Sequence, residues 1–306
     1  MKGEPNRWWI YQRERFPILA HGPLILAFSL SSVCFSSLLR QDERFPALTP
    51  ILVAFFCSFF SFLHLRLADE FKDFEEDSRF RPYRPVPRGL VTLRQLGGVW
   101  AATAGIQLLL TLALDWRLAA PLGITWIYLA LMSREFFCRT WLKNHPFTYM
   151  WTHMLIMPLI DFFATACDWL PATGHPPAGL FWFVAASFFN GFIIEIGRKI
   201  RAPEDEENGV ETYSFLWGRS RAAGAWWLAM GLTLICALFA AAQIHFLLPA
   251  ALGLGMAFLF ALLNGVRFLR DPKPGRGKSF ELIAGIWTLL LYLILGVVPM
   301  AWRIFS

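Results

Sequence analysis

The chain is divided into apolar segments about as long as a bilayer is thick, and this restricts its fold more than any other feature. About 20 consecutive apolar residues cross the hydrocarbon core as a helix, and in lipid only a helix or a closed barrel satisfies its own backbone. Nine such segments can be placed in the 306 residues, at 17–39, 47–68, 95–114, 118–136, 147–168, 178–197, 222–243, 246–266 and 281–302. The fifth is the least regular, because it carries His153, Pro158 and Asp161. With 56% hydrophobic and only 16% charged residues, a soluble globular domain is excluded. The expectation is an all-α polytopic membrane protein, with a tail over 1–16 and one nine-helix domain over 17–303. The charged start lacks a small-residue cleavage site, so the first apolar run is expected to be retained as a span. Cys34, Cys57, Cys138, Cys167 and Cys236 are scattered without CxxC spacing, and neither a disulfide framework nor a zinc site is expected.

Positive charge tests the span count, since cytoplasmic loops are enriched in Lys and Arg. With the N-terminus inside, nine spans put 24 of the 28 Lys and Arg on the cytoplasmic side, leaving Arg40, Arg44, Arg117 and Arg303 outside. A miscounted span would mix the two groups. The net charge of +6 is thereby accounted for by topology and anionic lipid, with no need for nucleic acid. The loops after the second and sixth spans then share the cytoplasmic side.

Those two loops carry the chemistry. The first begins RLADEFKDFEEDSRFRPYRPVPRG, with six acidic residues between 69 and 77. On a helix, at about 100° per residue, Asp69, Glu70, Asp73 and Asp77 share one face. Like charges so spaced repel, and carboxylates at a membrane boundary are expensive to desolvate, so cations are expected among them. Arg79, Arg81, Arg84 and Arg88 follow, interleaved with Pro82, Pro85 and Pro87 and closed by Gly89. A solvated helix end is one reading. Carboxylates for Mg²⁺ beside arginines for phosphate make a pyrophosphate site the other.

These residues resemble the UbiA superfamily of intramembrane prenyltransferases, whose first signature is Asn-Asp-x-x-Asp-x-x-x-Asp at the end of the second helix, followed by a basic loop with Arg-Pro. Here Asp69-Glu70-x-x-Asp73-x-x-x-Asp77 and Arg84-Pro85 occupy that register. The second signature, an Asp-rich loop leading to Gly-x-x-Thr and a later Gly, is matched by Asp205, Gly209, Thr212 and Gly218, but its earlier aspartates fall on Arg198 and Arg201. Either Glu195 and Asp205 complete a metal site there, or Arg198 and Lys199 meet pyrophosphate directly. Pro203 followed by Glu204, Asp205, Glu206 and Glu207 also suits a helix start.

The resemblance implies a nine-helix bundle with cytoplasmic cap loops, set in a bacterial inner (plasma) membrane with its site facing the cytoplasm. It further implies Mg²⁺-dependent transfer of an isoprenoid group from a prenyl diphosphate to a hydrophobic acceptor through an allylic carbocation. Two Mg²⁺ would be held by Asp69, Glu70, Asp73 and Asp77 on one side and by Glu195 and Asp205 on the other. Asp73, Asp77, Arg84 and Lys199 are then the catalytic candidates. Arg84, Arg88, Tyr128, Arg134, Asp161, Asn190, Arg198 and Lys199 are candidates for substrate contact. For the acceptor, His64, Glu135 and His153 join Arg134, Asp161 and Asn190, though each also suits an inter-helix hydrogen bond. A lipid-phosphate transferase acting on a phosphoribosyl diphosphate, within the same superfamily, is the near alternative, and a polytopic transporter the distant one. The Asp-Gly-x-x-Ala-Arg start of a CDP-alcohol phosphotransferase is absent.

Overall fold

A computed structural model describes residues 6–42, 44–207 and 210–305. Among them the chain is helical with no strand: α1 (Arg7–Arg15), α2 (Ile18–Leu39), α3 (Leu48–Lys72), α4 (Phe74–Phe80), α5 (Leu93–Leu114), α6 (Ala119–Ser133), α7 (Arg139–Lys143), α8 (Pro146–Met154), α9 (Ile156–Thr173), α10 (Leu180–Gly197), α11 (Tyr213–Trp217), α12 (Arg219–Gln243), α13 (Leu247–Arg270), α14 (Lys278–Leu295) and α15 (Val297–Phe305). Residues Arg7–Arg15 of the expected tail form a helix.

Among the described residues eight stretches are long and apolar enough to cross a membrane: α2, α3, α5, α8 with α9, α10, α12, α13, and α14 with α15. The expected fourth span is α6, whose 15 residues extend about 22 Å at 1.5 Å per residue, less than a hydrocarbon core of about 30 Å. It nevertheless joins the two ends of the bundle. Arg117, just before it, donates to the Leu170 carbonyl near the end of α9 (2.9 Å), and Glu135, just after it, pairs with Lys72 at the end of α3 (2.8 Å). Two long segments are each broken once by proline. Pro158 has no N–H for the Met154 carbonyl, where α8 gives way to α9, and Pro299 stands in the same relation to Leu295, where α14 ends.

The interior is tied by a few polar contacts, as expected where lipid offers no hydrophobic drive between helices. Asp161 of α9, with no exposed surface, accepts from Ser32 of α2 (2.5 Å) and from Tyr292 of α14 (3.3 Å), and the Tyr292 hydroxyl lies 3.0 Å from Ser187 of α10. Gln107 of α5 donates to the Cys57 carbonyl of α3 (2.8 Å) and accepts from Trp126 of α6 (3.1 Å). Outer helices such as α13 turn Leu248, Leu252, Met256 and Phe260 outward, which suits contact with acyl chains.

Charge is segregated by end. At one end α1 pairs with the acidic cluster through Arg15–Glu70 and with the basic loop through Glu14–Arg88, Lys143 pairs with Glu76, and the 271–278 loop meets the 203–207 stretch where Gly275 N–H donates to Asp205. At the other end lie Arg40, paired with Asp168 (2.9 Å), Arg117, and Arg303, which reaches the Leu38 carbonyl (3.5 Å). Asp161→Ala removes an acceptor that ties α9 to α2 and α14, while Ser32 keeps the Phe28 carbonyl and Tyr292 keeps Ser187 as partners, so the cost is that of lost hydrogen bonds, about 1 kcal/mol each. A clear fall in the melting temperature of the detergent-solubilised protein is expected, with Asp161→Asn falling less.

Candidate active site

The first acidic cluster sits where α3 stops. Asp73 terminates α3 and opens α4, yet its N–H still bonds the Asp69 carbonyl and its own carbonyl accepts from Asp77, so the chain turns here without losing the helical ladder. Glu70 and Asp77 are buried, at 2% and 3% exposed. The cations that the sequence demands among these carboxylates are supplied by the protein. Asp69 lies 3.4 Å from Arg66, Glu70 pairs with Arg15 of α1, Glu76 pairs with Lys143 of α7 (2.7 Å), and Asp77 pairs with Arg84 and with Arg81 (3.4 Å). Among the six acids only Asp73 and the exposed Glu75 make no side-chain hydrogen bond or ion pair. Partial burial raises the Asp73 carboxyl above the usual range, with Lys72 opposing and Asp69, Asp77 and Glu76 adding to the rise.

The basic loop does not act as one unit. Arg84 is held on Asp77, while Arg88 turns away to Glu14 (2.9 Å) and to the Tyr83 carbonyl. Arg81 joins Arg84 on Asp77.

Across from this cluster is the end of α10. Glu195 is nearly buried and holds two cations, Arg198 at 2.5 Å and Lys199 at 2.8 Å, with the Tyr213 hydroxyl at 3.5 Å. Glu195 beside it and Asp69 across the gap both favour the charged Arg198, whose value is raised. This is the electrostatic link between the two motifs. Asp205 accepts from the Gly275 N–H (2.7 Å), and Glu206 accepts from the Thr212 (2.6 Å) and Ser214 (2.8 Å) hydroxyls. Thr212 also caps α11 through the Phe215 N–H, Gly218 takes a left-handed φ of 81° before α12, and Gly209 lies outside the described residues. Pro203–Asp205 forms a single 3₁₀ turn, so the helix-start reading of 203–207 holds only for one turn.

Among the described residues no three His, Cys, Asp or Glu side chains gather closely enough to form a metal centre by themselves. Mg²⁺ often binds through one or two carboxylates and completes its shell with water and substrate phosphate. Asp73, with Asp69 one turn away and only loosely held by Arg66, suits that mode. Glu195 and Asp205 are both engaged by protein donors, as are Glu70 and Asp77.

A further group lines the same end. Lys72 reaches Glu135 (2.8 Å) and the Tyr149 hydroxyl (2.5 Å), and the Tyr149 ring stacks on His153 with centroids 3.9 Å apart. Glu135, Phe136 and Phe137 have φ values of 50°, 51° and 59°. Three successive non-glycine residues in the left-handed region cost on the order of 1 kcal/mol or more each. Their effect is to turn Glu135 inward, at 4% exposed, while Arg134 stays on the surface. Phe136 packs edge-on against Tyr128 and His153, and the Tyr128 hydroxyl donates to the Thr152 carbonyl (2.7 Å).

The remaining candidates lie deeper in the bundle. His64 stacks on Trp100 and bonds Thr103 (2.8 Å), Asn190 accepts from Thr288 (3.1 Å), and Asp161 is enclosed by Ser32, Ser187 and Tyr292. Arg15, Arg66, Tyr149 and Tyr213 belong to the site although the motifs do not contain them. The first two share the cytoplasmic-side charge set, which was the one signal available for them.

The model of the UbiA prenyltransferase family matches residues 29–289. No curated protein matches the chain. Among solved structures it is similar to the apo form of a UbiA homolog from Aeropyrum pernix K1, at 14% identity, with 92% of this chain and 98% of that one covered and a TM-score of 0.68. It is also similar to a digeranylgeranylglyceryl phosphate synthase, at 15% identity, with 96% of this chain and 99% of that one covered and a TM-score of 0.59. At such identities the likeness establishes the fold.

Because its folded pKa is raised, Asp73 weakens the fold when ionised. That loss sets in as pH rises from the ordinary carboxylate value through the Asp73 value. Asp73→Asn is therefore expected to melt a few degrees higher than the wild type at neutral pH, and the gain should vanish in acid, where Asp73 is itself neutral.

Proposed function

The chain belongs to the UbiA prenyltransferase family, and on that premise we propose that it transfers an isoprenoid group from a prenyl diphosphate to an acceptor in the membrane. The observation that carries this reading is Asp73, a partly buried carboxylate with no hydrogen-bond or ion-pair partner among the described residues, set between two groups of cations at one end of an apolar bundle. An amphiphile with a charged head and a long apolar tail fits such a place.

The diphosphate would lie between Arg66, Arg81 and Arg84 on the α3 side and Arg198 and Lys199 on the α10 side. Asp73 and Asp69 would hold one Mg²⁺, which supplies further neutralisation of the phosphate oxygens. As the allylic carbon–oxygen bond breaks, negative charge grows on the leaving diphosphate, and the fixed guanidinium and ammonium groups stabilise it more than they stabilise the ground state. Glu195 keeps Arg198 and Lys199 in position for this, since a cation that need not reorient favours the charged transition state. The carbocation requires a dry, electron-rich enclosure, for which the aromatic bundle interior is suited.

In this reading α6 is a ninth crossing, its 15 residues extended by the flanking 116–118 and 135–137 turns. The N-terminus and the site face the cytoplasm, because the end with most of the Lys and Arg should be inside, and the membrane is a bacterial inner membrane.

The test is incubation of the purified protein in lipid nanodiscs with prenyl diphosphates of several chain lengths, followed by assay of free diphosphate and mass spectrometry of the lipid extract. Diphosphate release should require Mg²⁺ and stop with EDTA. Asp73→Ala should lower it by about 100-fold or more, the scale for loss of a fixed electrostatic contribution. Full activity in Asp73→Ala, or no turnover by the wild type at any chain length, would overturn the proposal.

A further inference from the structure

Two buried acceptor atoms face each other beside the diphosphate end of the bundle. Glu135 Oε2 and His153 Nε2 lie 3.9 Å apart, in side chains 4% and 8% exposed, and neither atom has a hydrogen-bond partner among the described residues. The other atom of each group determines what these two can do. Glu135 Oε1 accepts from the Lys72 ammonium, and a carboxylate has no proton to donate from Oε2. His153 Nδ1 lies 2.7 Å from the Tyr149 carbonyl. A carbonyl only accepts, so Nδ1 carries the proton and the neutral ring presents a bare Nε2. Two lone pairs thus converge where a donor belongs.

We propose that this pair is the proton site for the acceptor substrate, and that the acceptor presents an O–H group to it; the inference rests on the prenyl-transfer reading above. The C–O bond of the prenyl diphosphate breaks and its electron pair leaves with the diphosphate. A lone pair of the acceptor oxygen forms the new bond to the allylic carbon, and the acceptor proton moves to His153 Nε2. The resulting imidazolium lies beside the Glu135 carboxylate, which stabilises it.

Three features of the structure favour this role over a structural tie. Lys72 already anchors Glu135, and an ion pair serving only to join α8 to the 135–137 turn would close to hydrogen-bond distance. The turn itself is held in the left-handed region at three consecutive non-glycine residues, and such strain persists where its result is used. Finally, Lys72, which anchors Glu135, directly precedes Asp73, so the proton site adjoins the unpartnered carboxylate of the diphosphate site.

The experiment uses membranes containing the wild type, Glu135→Gln or His153→Gln, incubated with radiolabelled geranylgeranyl diphosphate, with label counted in lipid adducts and in free prenyl alcohol. Loss of a general base slows transfer by about 10²–10⁴-fold. The ratio of adduct to alcohol is therefore expected to fall by about 100-fold in both variants, as water captures the ionised donor instead. Should His153→Gln fail to fold, Glu135→Gln, nearly the same size, keeps the question answerable. An unchanged ratio, or a parallel fall of both products, would assign the pair a structural role and overturn the proposal. Failure of the wild type to release diphosphate would instead remove the prenyl-transfer reading, and this inference with it.

Discussion

Carboxylates at the rim of an apolar bundle have to be answered by positive charge. At 4 Å an ion pair is worth about 1 kcal/mol in bulk water and about 4 kcal/mol at the effective dielectric of a protein surface, so an unanswered acid here is a large fraction of a fold's net stability. Much of the peripheral architecture follows from that. Helix α1 is placed by Arg15 on Glu70 and by Glu14 on Arg88, α7 by Lys143 on Glu76, and the proline-rich loop by Arg81 and Arg84 on Asp77. Short elements are thus tied by charge to the ends of long ones held in lipid, and α1 is held in addition by Tyr11 and Trp8 packing with Leu67, Val86 and Leu96. Asp73 is the exception, and its raised value marks the stability given up to keep it open. A site that binds a cationic or metal-bearing partner needs one such group.

The two halves of the site differ in stiffness. On the α3 side two acids, Glu70 and Asp77, are buried, and the arginines that hold them come from α1 and from the loop after α4. On the α10 side the order is reversed: one buried acid, Glu195, holds Arg198 and Lys199 at the mouth. Close packing supports that arrangement. A Cβ at Gly277 would stand 2.6 Å from the Ile200 carbonyl oxygen, and one at Gly197 would stand 3.1 Å from both the Phe280 carbonyl oxygen and the Trp226 indole nitrogen. With Asp205 accepting from Gly275 N–H, the 198–205 stretch is clamped from the side of α14. Beyond this stretch Thr212 caps α11 and Gly218 turns the chain into α12.

Much of this was determined by the sequence alone. Apolar length dictates helices in lipid whatever their neighbours, so eight of the nine expected segments correspond to helices long enough to cross, while the expected fourth is the 15-residue α6; Pro158 was visible as an irregularity of the fifth. The asymmetry of Lys and Arg sorted the loops into two sets, and those sets lie at opposite ends of the bundle. Helical spacing identified Asp69, Glu70, Asp73 and Asp77 as one cluster, because i, i+4 proximity is a property of the backbone.

What only the tertiary structure decided is which of these charges remain available. Helical spacing cannot tell that Arg15, 55 positions away, claims Glu70, that Asp205 is taken by a loop 70 positions later, or that Glu135 is turned inward by three left-handed residues to meet Lys72 and His153. Nor could it separate Asp161, enclosed by three helices, from residues that line the site. Those pairings depend on the relative placement of helices, which is set by side-chain packing and long-range Coulomb contacts that no local pattern records. Composition and spacing place a charge at an end of the bundle, and only the packed neighbours determine whether it is left open to a substrate.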